Sequence, residues 1–152
     1  MARRRRNHQN GRQAIFIDAG YCVALLHIRD QYHGPAQRWQ RYLEDGTDRL
    51  ITTEAVLWEW LDGCSQSAIR RQAAEGYRLF HEDDRIMVIA YEPPLMQAAF
   101  RLYEARPDKG RSLTDCLSFV VMQQQGITDA LTADHHFEQA GFRALLLSDP
   151  PS

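Results

Sequence analysis

Four acidic residues, Asp18, Glu59, Asp115 and Asp134, lie far apart in the chain, yet each falls at or near the end of an expected strand or helix. Asp18 closes the apolar run Ala14-Ile15-Phe16-Ile17, and Asp134 closes Ala130-Leu131-Thr132-Ala133. Asp115 stands in Ser112-Leu113-Thr114-Asp115 at the head of a long apolar helix, and Glu59 lies inside the helical stretch from Glu54 to Leu61. Gathered on one edge of a sheet, these groups form an oxygen-only ligand set, which favours Mg2+ or Mn2+ over zinc. A divalent cation held there can polarise a phosphoryl oxygen and activate a water, which is the chemistry of phosphodiester hydrolysis.

Each acid taken singly has a plainer use. Ser112-x-x-Asp115 is a capping-box pattern with Asp in place of the preferred Glu or Gln. Asp18 and Asp134 can cap the segments that follow them, worth about 1 kcal/mol each, and Glu59 can be the solvated face of its helix. Convergence changes the weighing. Two carboxylates about 5 Å apart repel by roughly 3 kcal/mol at an effective dielectric near 20. Summed over four such groups, the repulsion nears the whole stability of a domain, about 5–15 kcal/mol. A converged cluster therefore demands a cation or raised pKa values.

The elements that must position these residues alternate. Apolar runs at 14–18, 50–53, 86–91, 130–132 and 143–147 read as strands. Helices are expected over 21–29, 35–44, 54–61, 67–80, 95–104 and 112–125, with a short helical turn at 137–140. His33-Gly34-Pro35 reads as the breaker between the first two helices, and Gly126 as the stop of the sixth. Strands alternating with helices predict an α/β fold: a three-layer α/β/α sandwich, Rossmann-like, around a mostly parallel central sheet of about five strands. Ligands in such folds bind outside the carboxyl ends of the strands, where Asp18 and Asp134 stand.

Composition narrows the class. A chain of 152 residues with 44% hydrophobic and 25% charged residues reads as one globular domain. No apolar run reaches the roughly 20 residues of a bilayer span, and no apolar segment follows the basic N-terminus as a secretory signal requires. Cys22, Cys64 and Cys116 are unclustered and odd in number, which fits a reducing cytoplasm better than a disulfide framework or a zinc site. The net charge of −2 hides an asymmetry: five of the eighteen basic residues are Arg3, Arg4, Arg5, Arg6 and Arg12, so residues 13–152 carry thirteen basic against twenty acidic side chains, a net of −7. Residues 1–13 read as a flexible basic tail, able to neutralise phosphates or simply to be solvated, and 14–152 as the single domain.

Other candidates carry less. His135-His136 are adjacent rather than four apart, so they read as solvent-exposed rather than as ligands. His27 and His33 belong to a turn with Asp30, Trp58 and Trp60 to core or interface packing, and Cys22 and Cys116 to small core fillers. No G-x-G-x-x-G or Walker loop supports nucleotide-cofactor chemistry. A haloacid-dehalogenase-like phosphatase needs an acid at position 20, which is Gly, and a receiver domain needs an Asp closing the third strand, which ends in Tyr91-Glu92.

Phe16-Ile17-Asp18, Val56-Leu57-Trp58-Glu59, Ser112-Leu113-Thr114-Asp115-Cys116 and Leu131-Thr132-Ala133-Asp134 resemble, in order, the four acidic motifs of the PIN-domain family, and within it the VapC-type toxin ribonucleases. The resemblance runs from about Ala14 to Leu147. Its most specific part is Ser-Leu-Thr-Asp-Cys with the downstream Thr-x-Asp-x-x-Phe. It implies a Mg2+- or Mn2+-dependent endoribonuclease, with Asp18, Asp115 and Asp134 on the metal, Glu59 completing the acidic pocket, and 5′-phosphate ends on the product. It also implies a homodimer and a small antitoxin partner, with Trp58 and Trp60 in the 54–80 region as the expected interface. The Val-Leu-x-Glu match selects Glu59 over its neighbour Glu54. The chain departs from the family after the first Asp, where Ala19-Gly20 replace residues that usually carry hydroxyl or small polar groups. That leaves Thr132 and Ser112 as supporting donors, and Arg111, Lys109 or the tail as RNA-binding cations. The departure keeps a catalytically weak RNA- or protein-binding PIN-like module as the alternative. A purely structural α/β interaction domain would require that the four acids do not meet.

Overall fold

Ala14–Ile17 forms the central strand β1, and consecutive residues Phe16 and Ile17 are both almost fully buried. A strand flanked on both faces needs such an uninterrupted apolar run. Around it, the computed structural model, which describes residues 14–66 and 68–152, arranges β2 (Arg49–Thr53), β3 (Ile86–Ile89), β4 (Asp129–Leu131) and β5 (Arg143–Ala144). The five strands make one all-parallel sheet in the order β3-β2-β1-β4-β5. The chain steps outward from β1 to β3, then returns to lay β4 on the other side of β1. Parallel strands are joined by right-handed crossovers as a rule, and on a path that reverses at β1 such crossovers put helices on both faces of a three-layered sandwich. The point where the order reverses lies between β1 and β4.

Seven helices among the described residues join the strands: α1 (Ala19–Leu26), α2 (His33–Glu44), α3 (Glu54–Gly63), α4 (Arg70–Glu82), α5 (Pro93–Ala105), α6 (Leu113–Gln125) and α7 (His135–Gln139). Among the described residues, no helix is long and apolar enough to cross a membrane. α6 is buried from Asp115 to Met122, and Gly126 ends it at φ 66°, a conformation that costs glycine nothing. Phe119 of α6 meets Phe137 of α7 edge-on at 4.9 Å, and Phe137 lies 6.5 Å from Phe16 of β1. These rings lock α6 and α7 to the central strand, and so fix the helix starts that carry Asp115 and Asp134. α3 and α4 approach closely at Gly76, where a Cβ would stand 2.6 Å from the Trp60 ring.

Several boundaries differ from those the sequence predicts. His33-Gly34-Pro35 does not break a helix but opens α2, and the break falls at 27–32 instead. Pro35 sits in the first turn, where its missing N–H has no helical partner to lose. The fifth strand stops at Ala144, and Leu145–Leu147 form a 3-10 turn. That turn buries both Leu145 and Leu146, which a strand would send to opposite faces. β3 stops at Ile89, paired with Thr53, because β2 ends there too, with Thr53 accepting from the Val56 N–H to cap α3. α4 starts at Arg70 rather than 67; Ser67 and the basic segment 1–13 lie outside the described residues.

Candidate metal centre

Several elements that end or start at the carboxyl edge of the inner strands bring an acid to it. β1 delivers Asp18, β2 leads into α3 with Glu59, α6 starts beside that edge with Asp115, and β4 leads to Asp134. The four residues line one pocket of about 330 Å³, together with Asp30, Tyr32 and Thr132. The pocket opens at the reversal between β1 and β4, where open parallel sheets bind ligands.

The register places the first two groups. Ile17 pairs with Leu131, and the Asp18 N–H donates to the Leu131 carbonyl at 3.3 Å, so Asp18 and Thr132 emerge side by side. The Thr132 hydroxyl donates to Asp18 Oδ2 at 2.7 Å and accepts from the Asp134 N–H at 3.1 Å. One hydroxyl thus ties the two acids together. Asp18 occupies the N-cap position of α1 but makes no side-chain cap bond to it. Asp134 does cap α7, accepting from the His136 N–H at 2.9 Å.

Asp115 has both uses that the sequence offered. It accepts from the Ser112 N–H at 3.3 Å while its own N–H donates to Ser112 Oγ at 3.0 Å, a complete capping box. It also lines the acidic pocket. Capping fixes its rotamer at the helix start without removing it from the site. Glu54 is excluded by its contacts: its Oε2 accepts from the Tyr91 N–H at 3.3 Å, away from the pocket that Glu59 lines.

The electrostatics are those of crowded carboxylates. Burial pushes Asp18 up to about 7, reinforced by the charges of Asp115 and Glu59 and opposed by the Thr132 hydroxyl. Burial raises Glu59 too, with Asp115 and Asp134 adding to it. Asp115 is raised by burial and by Asp134, against its bonds to Ser112 and the nearby His136. Among the described residues, none that line the pocket is Lys or Arg. An oxygen-donor pocket with mutually repelling carboxylates and no counter-charge of its own fits a hard divalent cation.

Some residues the sequence passed over also belong here. His135 is exposed as expected, but His136 is not: its Nδ1 lies 3.0 Å from Asp134 Oδ1 and 3.8 Å from Asp115 Oδ2. The helical-face argument missed it because α7 begins at His135, so the capping Asp134 faces the first-turn side chains. Asp30 was readable as an Asx turn, accepting from the Tyr32 N–H at 2.8 Å. Trp60 is no interface residue; it is buried against Phe80 at 5.3 Å, while Trp58 is exposed. Cys22, Cys64 and Cys116 are all buried. The Arg111 guanidinium packs 5.3 Å from the centre of the Phe119 ring.

An all-parallel α/β sheet with an acidic pocket at its reversal defines a class of domain that binds its ligand at the strand ends. The sequence model of the PIN domain matches residues 15–143, so the chain belongs to the PIN-domain family. Among solved structures it is similar to VapC20 of Mycobacterium tuberculosis, a sarcin-ricin-loop-cleaving toxin. The TM-score is 0.78 at 24% identity, over 90% of this chain and 100% of that one. It is also similar to the DNA-bound VapBC of Salmonella typhimurium, with a TM-score of 0.60 at 15% identity over 87% of this chain and 96% of that one. At these identities the likeness is one of fold. No relative of curated function matches the sequence.

Proposed function

We propose that this protein is a divalent-metal-dependent endoribonuclease of the VapC toxin kind, acting in the cytoplasm on RNA phosphodiester bonds. The observation that carries the reading is the gathering of Asp18, Glu59, Asp115 and Asp134 around one pocket without a basic lining residue among those described. Asp18, Asp115 and Asp134 would hold Mg2+ or Mn2+, directly or through water, and Glu59 would complete the acidic wall. When bound, the cation supplies Lewis-acid polarisation of a phosphoryl oxygen and a water of lowered pKa. The protein's own part is positioning. Thr132 holds Asp18 and Asp134 in fixed relation, Ser112 fixes Asp115, and burial of Asp18 keeps the site's field strong.

The VapBC likeness supports a small antitoxin partner, and the family supports a homodimer; both belong to this proposal. A second reading, a PIN-like module that binds without cutting, is favoured by Ala19-Gly20, which bring no side-chain oxygen next to Asp18. Crowding is not the reason for that gap, because a Cβ at Gly20 would meet only Asp18 Oδ2, at 4.0 Å.

Cleavage of total and transfer RNA with Mg2+ or Mn2+ tests the first reading. Asp115→Asn keeps an oxygen to accept from the Ser112 N–H but loses the charge. Cleavage should fall by at least the roughly 10²–10³-fold that removing one preorganised stabiliser costs. Undiminished cutting by the pure variant would sink the assignment, and a folded, metal-binding wild type that cuts nothing would favour the binding module.

A further inference from the structure

At the mouth of the acidic pocket, Asp134, His135 and His136 present a carboxylate oxygen and two imidazole nitrogens within 4.8 Å of one another. His136 Nδ1 lies 3.0 Å from Asp134 Oδ1, and His135 Nδ1 lies 3.6 Å from the same oxygen. The two rings stand 4.2 Å apart at a tilt of 33°. Hydrogen bonding accounts for the approach of His136 to Asp134 but not for that of His135. Asp134 Oδ1 already accepts from the His136 backbone N–H at 2.9 Å, and the His136 ring at 3.0 Å takes up its second lone pair, which leaves none for His135. The His135 separation is also too long for a hydrogen bond.

Both separations do suit two ligands of one ion. Metal–ligand bonds of about 2.0–2.1 Å put neighbouring ligand atoms roughly 2.9 Å apart in an octahedral site and about 3.4 Å apart in a tetrahedral one. The donor chemistry also differs from that of the pocket below. Two imidazoles and one carboxylate match zinc and the late first-row dications, whereas Mg2+ demands oxygen ligands and keeps its waters. Asp115 Oδ2, 3.8 Å from His136 Nδ1, offers a further donor.

We propose that Asp134, His135 and His136 form a second metal site, selective for Zn2+ or a similar transition-metal dication, that competes with the hard cation of the acidic pocket for Asp134. Binding at this site stands independently of the nuclease reading, whereas its consequence for cleavage rests on that reading: Zn2+ withdraws Asp134 and inhibits Mg2+-dependent cutting.

The test uses the full chain titrated with Zn2+ by calorimetry in excess Mg2+, and with Co2+ by visible absorption. Wild type should bind Zn2+ in the presence of Mg2+ and give Co2+ bands typical of nitrogen ligation. His135→Ala, which alters an exposed side chain, should weaken Zn2+ by at least about tenfold, the least that losing a supporting partner costs a metal site, and lose the bands. Asp18→Asn should keep them. Zn2+ affinity unchanged in both His135→Ala and His136→Ala, or an all-oxygen Co2+ spectrum in wild type, overturns the proposal. RNA cleavage separates the two readings. Nitrogen-ligated Co2+ without any Mg2+-dependent cutting upholds this site while the nuclease assignment fails. Cutting by a protein with an all-oxygen Co2+ spectrum does the reverse. Where both hold, Zn2+ inhibits the wild type and spares His135→Ala.

Discussion

The acidic pocket and the apolar groove beside it share two helices and diverge by a single residue on each. On α3, Trp58 lines the groove while Glu59 lines the pocket; on α6, Thr114 lines the groove and Asp115 the pocket. The groove is a concavity of about 250 Å³ walled by side chains such as Ala55, Ile89, Leu95 and Leu117. Its rim leaves Trp58 and Tyr91 more than half exposed. Burying apolar groups there costs the fold nothing, so the groove adds stability wherever it closes. The pocket does the opposite: it buries Asp18 and sets carboxylates against one another. Groups held at a cost to folding mark where chemistry is done, whereas exposed apolar surface marks where recognition occurs. The two regions therefore predict opposite responses to substitution.

The largest response is the loss of cleavage in Asp115→Asn set out above. Next comes Asp18→Asn, which should abolish metal-dependent function and yet stabilise the metal-free protein. Asp18 rises from 3.8 to about 7 on folding, so at about 1.4 kcal/mol per tenfold the burden of ionising it is of order 4 kcal/mol as an upper bound. The sign follows from proton linkage. Between those two values the folded state binds the proton that the unfolded state has released, so stability falls as pH rises from about 4 to about 7. Urea unfolding of the metal-free wild type across that window should show the decline. Asp18→Asn should flatten it, and Mg2+ should reverse it by binding only the folded form. A wild type whose metal-free stability rises steadily over the window would remove the electrostatic half of the comparison.

The scaffold beneath the pocket gives a smaller effect. Gly76→Ala places a methyl 2.6 Å from Trp60, on the helix that carries Glu59. Overpacking of this kind costs about 1–3 kcal/mol. Thermal unfolding should record that loss with the pH profile unchanged in shape, which would separate packing from charge. A neutral result would mean that α3 and α4 yield freely and that Glu59 is loosely held.

Legibility from sequence divided along the same line. The parallel sheet was readable because Ala14–Ile17 and Ala130-Leu131 are uninterrupted apolar runs, and such runs occur where a strand is covered on both faces. Asp18, Asp115 and Asp134 were readable because each stands where an element ends or begins, and element ends at one sheet edge converge by topology alone; Glu59, inside α3, was singled out by the Val-Leu-x-Glu match instead. Thr132 could be named as a supporting donor, but not as the hydroxyl joining Asp18 to Asp134, because that depends on the Ile17–Leu131 register. His136 was missed because its place is set by where α7 starts, one residue after its cap. The start of α2 has a similar origin: the sequence opens that helix at Pro35 and the structure opens it two residues earlier at His33, because a proline fits any position of a first turn and does not say which one it holds. The apolar groove was hardest to see. Trp58 and Trp60 look alike in sequence, yet one is exposed and the other is wedged against Phe80 and Gly76.

That last distinction gives the smallest effect and the cleanest check on the groove. Trp58→Ser replaces an exposed ring beside Glu59 without touching a carboxylate. Surface substitutions of this kind change stability by about 0.5 kcal/mol or less, and Mg2+-dependent cleavage by the isolated protein should stay within about twofold, a barrier change of under 0.5 kcal/mol. If the groove serves recognition, the variant should instead lose self-association or partner binding, read by light scattering and by co-purification with the neighbouring gene product. A large fall in cleavage with association intact would mean that Trp58 contacts the substrate, and that pocket and groove form one continuous RNA surface. No change in any of these readouts would leave the exposed ring without a role in recognition and shift attention to the Tyr91 end of the groove.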